Sequence, residues 1–94
     1  MNTIYEKCAK IRNENEPGTK QYERENRVLL KIMGIAFQND SNFDTLPKYF
    51  TLYHVKMSGD KLADLFKRLG INVDIKMIDQ DNFSGNIFGI TVLD

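Results

Sequence analysis

The stretch Val28–Phe37, Val-Leu-Leu-Lys-Ile-Met-Gly-Ile-Ala-Phe, constrains this chain more than any other, because Lys31 is its only polar side chain. Wound as a helix at about 100° per residue, it places Leu29, Ile32, Met33, Ala36 and Phe37 on one side. Val28 and Ile35 then cover much of the other. A surface helix carries one apolar stripe, whereas a helix apolar most of the way round is buried on several sides. A bilayer span takes about 20 apolar residues, so this stretch predicts a core helix and no membrane segment. Gly34 in its middle costs roughly 1 kcal/mol against alanine, which predicts that another backbone comes close there.

The rest of the chain arranges itself around that helix. Thr3 and Glu6 have the spacing of a capping box and open a first predicted helix over Ile4–Asn13, with Ile4, Cys8 and Ile11 on one face and Tyr5 beside them. The run Asn13-Glu-Asn-Glu-Pro17-Gly18 breaks it and turns the chain. A second helix is expected from an N-cap at Thr19 to about Gln38. Pro47 favours extended backbone before it, and the aromatic and β-branched run Tyr49–Met57 reads as a strand.

Ser58 is the expected cap of a third helix, Asp60–Leu69, with Leu62, Leu65, Phe66 and Leu69 on one face and Gly70 as its stop. Ile71–Ile78 alternates Ile71, Val73, Ile75 and Met77 against Asn72, Asp74 and Lys76, the pattern of a strand with one dry face. After a polar loop carrying Phe83, Ile87–Leu93 is the most uniformly apolar strand. These elements predict an α+β fold: an N-terminal helical hairpin followed by a β-α-β-β unit. Its three-stranded, mainly antiparallel sheet has the C-terminal strand central, and Lys76 suits an edge. With 94 residues, the expectation is one domain over residues 1–94.

Charge and cysteine usage narrow the function classes. Thirteen Lys and Arg balance 13 Asp and Glu, where a dedicated non-specific nucleic-acid binder shows a basic excess. Cys8 is the single cysteine, so no internal disulfide and no Cys₄ or Cys₂His₂ zinc site can be built. It reads as a small core hydrophobe. The N-terminal residues are not followed by an apolar signal-peptide core, which points to a cytoplasmic protein and sets aside the sequons at Asn39 and Asn82.

No cofactor and no metal is expected. His54, the only histidine, reads as a structural strand residue. The acidic loops Asn39–Asp44 and Asp79–Asn82 lack the ligand spacing, central glycine and terminal glutamate of an EF-hand, and read as turns. No Walker loop, G-x-G-x-x-G or G-x-S-x-G occurs. The stretch Met57–Gly70 resembles the opening of HicA-type messenger-RNA interferase toxins. The histidine that this resemblance implies at the next turn is not there, because the corresponding region reads Phe83-Ser-Gly-Asn-Ile87. No interferase activity is therefore carried over.

Two candidate surfaces remain. Lys20, Arg24, Arg27 and Lys31 form a narrow basic stripe on the second helix. It reads first as the solvated face of an amphipathic helix, tempered by Glu16 and Glu23 one turn before Lys20 and Arg27. Its alternative is a phosphate-tracking ridge. In the Tyr49–Met57 strand, Phe50 and Leu52 oppose Tyr49, Tyr53 and Val55, so one set is expected to face outward as an apolar patch. The reading that follows is a non-enzymatic protein-binding module, an inhibitor or adaptor of the type found among phage and plasmid proteins. The second half of the second helix is apolar on more sides than one small sheet can cover. With the surplus apolar surface of this strand, Phe50 and Leu52 included, it predicts a homodimer, or else a partner protein docking on the same patch. Nucleic-acid binding through the stripe is the alternative.

Overall fold

The Thr3 hydroxyl accepts the Glu6 N–H at 3.1 Å, and the Glu6 carboxylate accepts the Thr3 N–H at 3.5 Å, closing the capping box. In the computed structural model, which describes residues 3–93, this cap opens α1, Ile4–Glu14. The chain divides into two compact units, Met1–Pro47 and Lys48–Asp94.

The first unit is a helical hairpin in which α1 packs on α2, Lys20–Asn39. Thr19 caps α2 by accepting the Tyr22 N–H at 3.1 Å. Across the turn the Asn15 side chain donates to Glu25 at 2.8 Å, and Gln21 donates to Asn15 at 3.3 Å, which ties the end of α1 to the second turn of α2. Ile4, Cys8, Ile11, Val28, Leu29, Ile32 and Ala36 are buried.

α2 carries more apolar surface than its neighbours cover, as its pattern predicts, but Phe37, expected on the core side, lies outside it. Leu30 and Phe37 are 52% and 53% exposed, and Met33 and Ile35 are only half-buried. The reason lies in the helical wheel. Val28, Leu29, Ile32 and Ala36 define the buried arc, and Leu30, Gly34 and Phe37 project away from it at i, i+4, i+7. Gly34 corrects a second expectation. A methyl group added there meets nothing within 4 Å, so no other backbone comes close.

The second unit holds β1 (Tyr49–Val55), α3 (Gly59–Leu69), β2 (Val73–Asp79) and β3 (Asn86–Val92). Its antiparallel sheet has the order β1-β3-β2, with the last strand in the middle. The fold is thus α+β, a helical hairpin followed by β-α-β-β. β3 is central because its inward residues Phe88 and Ile90 are fully buried, and apolar strands belong where both edges are paired.

Facing residues run Phe50, Ile90 and Ile75 across one row and Leu52, Phe88 and Met77 across the next. α3 lies on this face, with Phe66 at 6.4 Å from Phe50 and Gly59 beside Phe88. Ser58 caps α3 and Gly70, at φ 74°, stops it with its N–H on the Lys67 and Phe66 carbonyls.

Candidate functional site

β1 alternates from Tyr49 to Tyr53 and then breaks step. Tyr49, Thr51 and Tyr53 point to the face opposite α3, and Phe50 and Leu52 point inward. His54 takes φ 56°, and the pairing with β3 shifts between Leu52 and Val55. This is a β-bulge. The extra residue leaves Tyr53 and His54 both exposed and returns Val55 to the core.

The outward face carries Tyr49 and Tyr53 from β1 and Ile78 from β2, each more than half exposed. Gly89 lies between them on β3. A Cβ there would stand 2.7 Å from the Tyr49 hydroxyl oxygen and 3.2 Å from Ile78, so both side chains already lie over the glycine. Covering a strand glycine with an aromatic ring compensates for its missing side chain. The result is a patch continuous across all three strands.

The loop joining β2 to β3 projects from the end of the sheet that holds the bulge. The Asp81 carboxylate accepts the Phe83 N–H at 2.8 Å, the Ser84 N–H at 3.4 Å and the Ser84 hydroxyl at 2.8 Å. The Phe83 N–H above all, then Ser84 and more weakly the nearby His54, hold the Asp81 carboxyl below its ordinary range.

Gly85 closes the loop at φ 99°, with its Cβ position 2.8 Å from the His54 carbonyl carbon and 3.0 Å from the Val55 nitrogen. Only glycine fits there. The Asn86 side chain donates to the Met57 carbonyl at 3.0 Å and fastens the base of the loop. On this braced turn Phe83 stands 93% exposed.

The residues expected to form a patch are placed otherwise. Phe50 and Leu52 are 6% and 1% exposed. They belong to the face that α3 covers, so they offer nothing to a partner. Their outward neighbours Tyr49 and Tyr53 take that place, as the alternation allowed. Lys20, Arg24 and Arg27 stand exposed along one face of α2, and Lys31 on the same face is half-buried. Burial, and to a lesser degree the Arg27 charge, lowers the Lys31 pKa from its ordinary value.

Cys8 is buried, and burial pushes its thiol up to about 11. The acidic loops are turns: Asp40 accepts the Asn42 N–H at 3.0 Å, and Asp79 accepts the Gln80 N–H at 2.8 Å. A shallow groove of about 380 Å³ runs between the end of α3 and the start of β2, lined by Ala63, Phe66, Gly70 and Val73 with Lys67 at its rim. It gathers no set of convergent polar groups. Among the described residues no helix is long and apolar enough to cross a membrane. Phe83 is the residue that sequence reasoning passed over; its signal was a lone aromatic inside a polar turn. Comparison with known proteins finds no matching family model, no similar curated protein and no similar solved structure.

Proposed function

We propose that this chain is a non-enzymatic protein-binding module that occupies a surface of a partner protein, as an inhibitor or adaptor, with Phe83 as its leading contact. The observation that carries the reading is a nearly fully exposed phenylalanine on a loop whose backbone is already fixed by Asp81 and Gly85. Burying a phenylalanine side chain contributes about 1.5–3 kcal/mol, and aromatic residues, phenylalanine among them, are enriched at protein interfaces. A loop ordered before binding loses little conformational freedom on docking. The Tyr53 and Ile78 side chains at the same end of the sheet extend the apolar contact. Asp74 and Lys76 on the outward side of β2 cancel in charge, which suits a protein surface better than a phosphate backbone.

The test is affinity capture from lysate of the native cell with the wild-type chain and with Phe83→Ser, read by quantitative mass spectrometry. A protein retained by the wild type and lost from the variant, with circular dichroism unchanged, supports the reading. An identical captured set from both chains removes Phe83 from the interface.

The exposed row Lys20, Arg24 and Arg27 supports a second reading, nucleic-acid binding through α2. Each phosphate contact steepens the dependence of log affinity on log salt by about 0.9. Arg24→Glu with Arg27→Glu abolishes binding on this reading and leaves folding intact. A wild-type chain that shifts neither DNA nor RNA at low salt ends it.

A further inference from the structure

On α2, Leu30, Gly34 and Phe37 share the outward face with Arg27 and Lys31. Leu30 and Phe37 are more than half exposed, and Phe37 continues through Phe43, at 5.3 Å, to the ring of Tyr5. Gly34 forms a notch in the middle of this ridge, with open space above it. We propose that a second copy of this chain docks here, its α2 antiparallel to the first and crossing it at Gly34.

The notch is the first argument. A mid-helix glycine weakens the helix, and among the described residues nothing lies within 4 Å of where a Cβ at Gly34 would stand. Packed helices ordinarily keep their axes about 8–10 Å apart, and the side chains at the crossing set the distance. Glycine facing glycine at the two-fold axis permits the closest approach, with Leu30 and Phe37 of each copy filling the space on either side.

Charge selects both the occupant and its direction. Arg27 lies seven residues before Gly34, about 10 Å along the axis. A parallel pair would set Arg27 against Arg27 and Lys31 against Lys31. The antiparallel pair separates the two Arg27 residues by about 21 Å, well beyond the screening length of about 8 Å, and the two Lys31 residues by about 9 Å along the axis, close to that length. It also brings Arg24 and Arg27, two cations beside the single anion Glu23 on this face, to the C-terminal end of the other α2. That end carries the negative pole of the helix. Its last turn holds no basic residue, Asp40 is its cap, and Asp44 follows. The surface is therefore self-complementary, as a closed two-fold dimer requires, and a net charge of zero does not oppose it.

Sedimentation equilibrium of the full chain, from low to high micromolar, tests the proposal. The expected mass rises from 10.9 kDa toward twice that value. Gly34→Arg holds it at the monomer mass while helical circular dichroism is retained. Arg27→Glu, an exposed change, weakens the dimer about tenfold at low salt, because symmetry counts the lost pairing twice. Phe83→Ser leaves the dimer unchanged, which keeps this surface distinct from the hairpin tip. A wild type that stays at 10.9 kDa throughout, or a dimer indifferent to both α2 variants, overturns the proposal.

Discussion

Three residues show how single positions carry opposite consequences in this chain. Gly34 sits in open space at an ordinary helical conformation, so Gly34→Ala stabilises the folded monomer by roughly 0.5–1 kcal/mol. Chemical denaturation at low protein concentration measures that gain. Gly85 is the reverse case. Its φ of 99° and its 2.8 Å approach to the His54 backbone leave no room for a methyl group, so Gly85→Ala costs about 1–3 kcal/mol by the same measurement. Cys8, pushed up to about 11 by burial, stays a neutral thiol at neutral pH. It should react with a thiol reagent only as fast as the protein opens, and at once in denaturant. Its folded pKa lies above the unfolded one, so stability falls as pH rises from about 9 toward 11.

At the scale of elements, α2 and the β2–β3 hairpin behave differently. α2 is held by its buried arc, so Leu29→Ala costs about 2–5 kcal/mol in chemical denaturation. Met33→Ala, half-buried, costs less.

The hairpin tip depends on one carboxylate instead. Asp81 has a lowered pKa, chiefly because it accepts the Phe83 N–H. For a depressed carboxyl, the stabilisation is present above the unfolded pKa and is lost as pH falls through the folded one. At pH below the ordinary carboxylate range, where Asp81 finally takes up its proton, the Phe83 and Ser84 amides should lose protection while β3 keeps its own, as NMR hydrogen exchange would show. Asp81→Ala should bring the same loosening to neutral pH. Unchanged amide exchange in that variant would mean that Gly85 and Asn86 alone brace the turn.

For the molecule as a whole, zero net charge combined with an exposed aromatic tip favours association near neutral pH. Phe83→Lys should therefore raise solubility at pH 7, read as the ammonium sulfate concentration at which the chain precipitates. The sequence alone determined every element and the strand order. The Thr3, Thr19 and Ser58 caps, the Gly70 stop and the apolar β3 are local or periodic signals that tertiary packing reinforces. Tertiary structure decided which apolar side chains are covered. Period-2 alternation says that Phe50 and Leu52 oppose Tyr49 and Tyr53, but not which side α3 lies on. A helix wheel likewise ranks faces by apolarity without saying how wide an arc its neighbours bury, so Phe37 was misplaced. The bulge at His54 and the wedge of Gly85 against it were illegible for the same reason. Both arise where two strands distant in sequence meet, and their geometry exists only once the sheet has formed.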